Sequence, residues 1–417
     1  MSTSHTNIRV NGERLWDSIH EMAKIGPGVA SGNNRQTLTD ADGAGRHLFK
    51  SWCEDAGLTM GVDQMGNMFM RREGQDKQAL PVYVGSHLDT QPTGGKYDGV
   101  LGVLAGLELV RTLNDLNVQT KHPIVVVNWT NEEGTRFAPA LLASAVFTGV
   151  YDQEWAYERV DSDGLSFGEE LERIGWRGEE ETGARSMHAF FELHIEQGPI
   201  LESEGKDIGV VTHAQGLVWV KITLQGQDAH AGSTPMTMRR NAGLGMSKII
   251  SLVDEIAMSY QPDAVGTVGH ACVYPSSPNV IPGRAEITVD FRSPDLDILK
   301  SMETRLYDGS RKICETLGLE VAFEVLGGYE PIAFDPVCVS AVRRSAEKLG
   351  YSYRDIISGA GHDACALSHV TPTAMVFCPC VGGLSHNEAE AISKEWATAG
   401  TEVLLHAVIE KAEVVAS

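Results

Sequence analysis

The chain has 417 residues, and 34 Lys and Arg stand against 56 Asp and Glu, a formal charge of −22. That length exceeds one ordinary core and predicts two domains, and the acidity argues against a nucleic-acid partner, which needs basic patches to displace counterions from phosphates. With 42% apolar and 22% charged residues the composition is that of a folded globular protein. No apolar run approaches the roughly 18 residues of a membrane helix, so no membrane partner is expected.

The opening MSTSHTNIRVNGERLW has no apolar segment of the kind a secretory signal needs. Residues 12–25 and 41–57 space their apolar positions as helices do (Leu15, Ile19, Met22; Leu48, Trp52). Residues 81–86 and 123–130 are short apolar runs ending in polar loops, which predicts two buried strands, with an apolar helix from Gly99 to Leu113 between them. This order predicts an α/β layer on a parallel or mixed sheet flanked by helices.

From 151 to 188 the chain turns polar, and residues 152–207 hold 16 acidic against 5 basic residues, which reads as a solvated acidic stretch. Residues 190–196 read as a strand, and 217–225 alternate with period two, as a half-exposed antiparallel strand does. A helix over 240–258, strands over 265–273 and 284–292, a helix over 295–318 and a strand over 319–326 complete a β-α-β-β-α-β order, the ferredoxin-like α+β arrangement. The expected division is one domain over 1–212 and 330–417, interrupted by a smaller domain over 213–329, with hinges near Gly209 and Gly327-Gly328. A helix over 336–349, a strand over 372–378 and a helix over 393–412 return to the first texture.

Seven cysteines without framework spacing suggest reduced thiols and a cytoplasmic setting. Cys378-Pro379-Cys380 ends an apolar run and reads as buried strand residues. Histidines such as His5, His122, His188 and His406 read as solvated surface groups.

The chemistry gathers elsewhere. His87-Leu88-Asp89 follows the first buried strand, Asp98 starts the next helix, and Asn131-Glu132-Glu133 follows the second buried strand. His194 lies in the 190–196 strand, and His386 in Gly383-Leu384-Ser385-His386-Asn387. Ligands of open α/β sheets collect beyond the carboxyl ends of strands, and two of these clusters stand there. Carboxylates mixed with imidazoles suit Zn²⁺ or Mn²⁺, and two ions sharing one carboxylate could be served by this set. Adjacent Glu132 and Glu133 diverge at a strand end, so one can bind metal while the other acts on a metal-activated water as general base. Taken alone, Arg292 reads first as a structural ion pair and only second as a carboxylate fork, and His230 and Asn279 read as turn residues. Gly94-Gly95 lacks the strand–GxGxxG–helix context of a dinucleotide site.

The strings GSHLDTQPTGGKYDGVLGV, NWTNEEGTRF, ELHIEQGPILE, GQDAHAGSTPM, NVIPGRAEITVDFR, SGAGHDA and GLSHNEAE together resemble the amidase, hydantoinase/carbamoylase family. That family comprises N-carbamoyl-L-amino acid hydrolases, β-ureidopropionases and allantoate amidohydrolases, within the dinuclear zinc aminopeptidase/carboxypeptidase superfamily. The resemblance implies a metal-dependent amidohydrolase acting on the ureido group of an N-carbamoyl amino acid, with allantoate hydrolysis or a metallo-dipeptidase as alternatives. It implies two divalent ions per subunit (Zn, Mn, Co or Ni) held by His87, Asp98, Glu133, His194 and His386, with Asp98 bridging. Asp89 matches the orienting carboxylate and Glu132 the general base. Gln197, His230, Asn279 and Arg292 match positions that bind a ureido substrate bearing a carboxylate, and Gly361 and His362 lie in the loop beside them. His230 is also implied as a donor to the tetrahedral oxyanion. The inserted domain is implied to form a homodimer and to act as a lid, with His230 and Asn279 candidates for reaching the partner's site. Asn241 stands where the family pattern usually has an acidic residue.

Overall fold

The computed structural model describes residues 8–183 and 185–415, so His5 and the first residues of the N-terminal segment lie outside the described residues. The chain folds as two compact units. One contains the described residues up to Thr212 together with those from Phe334; the other is His213–Ala333.

The strands in chain order are β1 (Thr59–Val62), β2 (Met68–Arg72), β3 (Val82–His87), β4 (Ile124–Trp129), β5 (Ala189–Ile195), β6 (Ile208–Ala214), β7 (Gly216–Gln225), β8 (Ala229–His230), β9 (Val265–Tyr274), β10 (Val280–Ile281), β11 (Arg284–Ser293), β12 (Glu320–Tyr329), β13 (Ile332–Ala333), β14 (Tyr353–Ser358) and β15 (Thr373–Cys378). In the first unit the sheet runs β1-β2-β4-β3-β5-β15-β6, with β14 also paired to β6. The central neighbours β4, β3, β5 and β15 are mutually parallel, whereas β1 with β2, β2 with β4 and β15 with β6 are antiparallel. The sheet is therefore mixed.

Every residue of β3, β4, β5 and β15 is buried, as parallel strands covered by helices require. The helices Val100–Asp115 and Lys394–Ala412 pack on these strands and on each other. Both are buried nearly all round, which explains their continuous apolar texture. Ser393 caps the second through Trp396 N–H, and Asp335 caps the helix Pro336–Leu349, whose first position is proline.

Several elements escape sequence periodicity. The pair β1 and β2, the strands β6 and β14, and the short helices Leu142–Phe147, Gln153–Tyr157 and Phe167–Arg173 carry neither a sustained apolar run nor a clear period. The reading of the acidic stretch as merely solvated is corrected. Ser166 and Glu169 close a capping box. Asp161 and Glu170, each with a 5% exposed side chain, flank the Arg136 guanidinium at 3.0 and 2.6 Å. The surface reading of His122 and His406 is corrected too. Both are buried and bond the carbonyls of Leu80 (2.7 Å) and Ile8 (3.0 Å). Cys378 and Cys380 are buried, unpaired thiols.

In the second unit the sheet order is β12-β7-β11-β9, antiparallel throughout. With helices Ala242–Met258 and Leu296–Leu317 in the β-α-β-β-α-β chain order, this is the ferredoxin-like topology. From Val218 to Gln225 the strand β7 alternates between burial and exposure, and Val220, Ile222 and Leu224 join Ile249, Val253, Ile287, Phe291 and Leu306 in one core. Asn241 caps its helix by accepting the Leu244 N–H at 3.1 Å, a task an acidic residue performs equally well.

One buried ion pair braces the approach to the site. Arg46 bonds Asp42 at 3.0 Å with both side chains at most 1% exposed. It also donates to the Gly66 carbonyl at 2.7 Å and the Thr130 hydroxyl at 3.1 Å, just after β4. Arg46→Ala strands the Asp42 charge and leaves these acceptors unmet, so unfolding in urea is expected to show a loss of about 3–5 kcal/mol. A midpoint unchanged from wild type would contradict this account.

Candidate metal centre

Four adjacent parallel strands, β4, β3, β5 and β15, end on the same edge, and each delivers site residues there. His87 closes β3, His194 lies one residue from the end of β5, Glu132 and Glu133 follow β4, and His386 lies in the loop after β15. Asp98 comes from the loop between β3 and the helix Val100–Asp115. The hydrogen-bond ladders thus converge residues that are up to 299 positions apart in the chain, from His87 to His386.

Asp98 stands at the centre. Its Oδ1 lies 2.9 Å from His194 Nε2 and 3.8 Å from His87 Nε2, and its Oδ2 lies 3.4 Å from His386 Nε2. Glu133 Oε2 is 3.5 Å from the same His386 nitrogen. Two ligand-type groups result, His87–Asp98–His194 and Asp98–Glu133–His386, and they share Asp98. The tautomers suit metal binding. His87 Nδ1–H donates to the Asp89 carbonyl and His194 Nδ1–H to the Ile195 carbonyl, each at 2.9 Å, which turns both Nε2 atoms toward Asp98. His87 Nε2 and Glu133 Oε1 are buried with no hydrogen-bond partner. Buried polar atoms in folded proteins are almost always satisfied, and a cation at each group satisfies both.

The charges lead to the same conclusion. Asp89, Asp98, Glu132 and Glu133 all have side chains under a tenth exposed. Burial, then Asp363 and Glu133, push the Glu132 carboxyl well above its usual range; burial and Asp98 do the same to Glu133. Burial works against ionisation of Asp98 too, but the His194 imidazolium in contact with it prevails and holds it well below that range. Reciprocally, burial opposes the His194 charge, yet Asp98 raises it to about 9, whereas burial drives His87 down to about 4. Divalent ions would displace the His194 proton and stabilise all four carboxylates.

Two local devices make the approach possible. Gly99 has φ +67°, and a Cβ there would overlap the His87 ring, so only glycine lets Asp98 approach. Gln197 and His386 hold φ of +57° and +52°, left-handed conformations that non-glycine residues adopt at a cost of about 1–3 kcal/mol.

The other expected residues fall as follows. Asp89 orients His87 through its carbonyl, while its carboxylate, 3.9 Å from the ring, accepts the Glu132 and Glu133 N–H groups at 3.3 and 3.2 Å. It therefore fixes the two glutamates. Glu132 Oε2 is 3.4 Å from His87 Nε2, beside the first group. Gln197 Nε2 donates to Asp98 Oδ2 at 3.0 Å, beside the second. His362, next to Gly361, is buried with its ring 4.5 Å from that of His194, and Nε2 bonds the Ser358 hydroxyl at 2.9 Å. On the second unit, Gly232 and Ser233 donate their N–H groups to His230 Nδ1 (3.0 and 3.1 Å), which leaves the proton on Nε2. The carbonyl of Asn279 accepts the Ala231 N–H, and its side-chain oxygen accepts the Ser277 hydroxyl at 2.9 Å. Arg292 forks onto Asp290 at 2.9–3.2 Å.

Sequence reasoning missed Glu192, Gln91, Ser385 and Glu390. Glu192 is fully buried, bonding the Ser86 hydroxyl at 2.6 Å and the Ala364 N–H at 2.9 Å. Its position two residues before His194 puts it on the same strand face, a period-two signal that was available. It forms a third ligand-type group with His194 and His362, but His194 has only Nε2 to offer, so that group competes with the first. Gln91 donates to Glu133 Oε2 at 2.5 Å.

The sequence profile described as peptidase family M20/M25/M40 matches residues 83–410. An N-carbamoyl-L-amino-acid amidohydrolase of Rhizobium meliloti is 64% identical over 415 residues, covering 100% of both chains. An N-carbamoyl-L-amino acid amidohydrolase of Geobacillus stearothermophilus is 36% identical, covering 97% of this chain and 99% of its own. The crystal structure of an amidase of the hydantoinase/carbamoylase family from Burkholderia multivorans superposes with a TM-score of 0.95 at 56% identity, covering 97% of this chain and 98% of its own.

Gly99→Ala is expected to force Asp98 away from His87. Metal analysis of the purified variant should show a lower metal content per chain than wild type, and equal content would remove the steric argument.

Proposed function

We propose that this chain, which belongs to peptidase family M20/M25/M40, hydrolyses the ureido group of an N-carbamoyl-L-amino acid to the amino acid, ammonia and carbon dioxide. The observation that carries the substrate class is the 64% identity, over the whole length, to an amidohydrolase named for that substrate. The reaction type rests on the site itself, in which ligand-type side chains flank a carboxylate suited to proton transfer.

The residues fit two divalent ions, one at His87, Asp98 and His194, the other at Asp98, Glu133 and His386. Zn²⁺, Mn²⁺, Co²⁺ and Ni²⁺ all accept this mixture of imidazole and carboxylate. When bound, such ions supply Lewis acidity and bring the pKa of a bound water toward neutrality. Glu132 is the remaining carboxylate beside the first group. It accepts the proton of the attacking water and delivers it to the leaving nitrogen. Asp89 holds Glu132 in place through its backbone N–H. His230, with Nε2 protonated, donates to the oxyanion that forms at the ureido carbonyl. Arg292 matches a substrate carboxylate with two parallel hydrogen bonds, and Asp290 fixes the orientation of its fork. Asn279 supplies an amide donor to the substrate's oxygens, Gln197, whose amide N–H groups face Asp98 and Ser385, offers its Oε1 to a substrate N–H, and Gly361-His362 line the same end of the sheet.

The family resemblance further supports a homodimer through the inserted unit, with His230 and Asn279 as candidates for reaching the partner's site. Seven unpaired cysteines support a cytoplasmic setting. No helix among the described residues is long and apolar enough to cross a membrane.

Chelated protein should release no ammonia from N-carbamoyl-L-amino acids, and Zn²⁺, Mn²⁺, Co²⁺ or Ni²⁺ should restore release. Failure of every ion with every carbamoyl amino acid would sink the assignment. Faster release from allantoate would redirect it, and N-carbamoyl-β-alanine tests a one-methylene difference worth about 1–3 kcal/mol. Glu132→Gln should retain its metal and lose about 10²–10⁴-fold in kcat; a near-normal rate would exclude Glu132 as the base.

A further inference from the structure

We infer that Glu390 is a positioning residue, whose carboxylate ties the backbone of Asp98 to the turn that carries His386 and so sets the second ion group in register with the first. The inference rests on the two-ion reading of the site. Glu390 is 5% exposed, and its Oε1 accepts the N–H groups of Tyr97 and Asp98, each at 3.1 Å. The Ser385 hydroxyl lies 3.1 Å from both Glu390 Oε2 and Asp98 Oδ2, so its single proton serves one carboxylate at a time. The Gln197 amide reaches the same hydroxyl at 3.3 Å. A Cβ at Gly95 would overlap Glu390 Oε1, so the loop before Asp98 lies directly on this carboxylate.

The two groups differ in how they are held. His87 and His194 belong to the paired strands β3 and β5, so the sheet ladder fixes them. His386 belongs to a loop, has a half-exposed side chain and holds φ +52°. No ladder fixes its distance from Asp98. The bonds from Glu390 and Ser385 join the two loops at the point where Asp98 must serve both groups. A hydrogen-bonded support of this kind typically changes metal affinity by 10–100-fold when removed.

The role separates from that of a simple negative charge. In Glu390→Gln the amide oxygen still accepts from Tyr97 and Asp98. Its NH₂ donates to the Ser385 oxygen, whose proton then goes to Asp98, so the linkage survives without the charge.

The test titrates Zn²⁺ into metal-depleted full-length protein by calorimetry, with bound metal counted by mass spectrometry. Wild type should take two ions. Glu390→Ala should bind the second ion about 10–100-fold more weakly and lose clearly less at the first, where the sheet ladder still holds His87 and His194. Ser385→Ala should weaken the second in the same direction, and Glu390→Gln should bind both as wild type does. Three results would each overturn the proposal: wild-type binding of both ions by Glu390→Ala, equal loss of both ions, or Glu390→Gln as weak as Glu390→Ala. If Glu390→Ala does not fold, Ser385→Ala and Glu390→Gln decide the matter by the same criteria. Fewer than two ions on wild type would overturn the two-ion reading itself and this inference with it, a failure visible before any variant is made.

Discussion

The structure of the first unit turns on Asp98, one carboxylate whose two oxygens face two different sets of ligands. A single acid can serve both only if it lies between them, and that position is sterically crowded. The crowding explains why Gly99 carries no side chain against the His87 ring and Gly95 none against Glu390. It also explains why residues such as Gln197 and His386 hold left-handed backbone conformations that elsewhere would be relaxed away.

Burying acidic groups together is the cost that this arrangement carries. Asp89, Asp98, Glu132 and Glu133 sit within one buried cluster, and in such a place either protons or cations must balance them. The hydrogen bonds divide the task unevenly. Asp89 is compensated by two backbone N–H groups, and Glu390 by two more and a hydroxyl. Asp98 and Glu133 face imidazoles, the side-chain amides of Gln197 and Gln91, and the Ser385 hydroxyl. The groups that backbone donors satisfy are structural, and the groups that face imidazoles are those a metal would take. His194, held in its charged form near Asp98, occupies part of the role of the cation.

Much of this was legible before folding. The buried strands that become β3, β4 and β15 follow from short continuous apolar runs, and the long helices and the β-α-β-β-α-β order of the second unit follow from periodicity. The His87-Leu88-Asp89, Asp98, Glu132-Glu133, His194 and His386 candidates follow from residue chemistry and from two strand ends. The strands β1, β2, β6 and β14 were not legible, since four to seven residues with mixed burial carry no clear period. Ser385 and Glu390 were equally silent, since a serine and a glutamate in a polar loop look like any others. The acidic stretch was misread for the same reason. Its charge could be counted, but the arginines that pair with Asp161 and Glu170 could not be assigned from the count.

The sequence by itself determined the kinds of groups available: how many carboxylates and imidazoles, on which elements, and with which glycine beside Asp98. Those properties are local, fixed by a few neighbouring residues. Only the tertiary structure decided which groups meet. The parallel order β4-β3-β5-β15 brings four loops to one edge, and that order depends on pairing between strands far apart in the chain. The same folding decided that Asp89 holds His87 by its carbonyl and the glutamates by its carboxylate, because a difference of about one ångström between alternative partners is set by packing and has no counterpart in spacing along the chain.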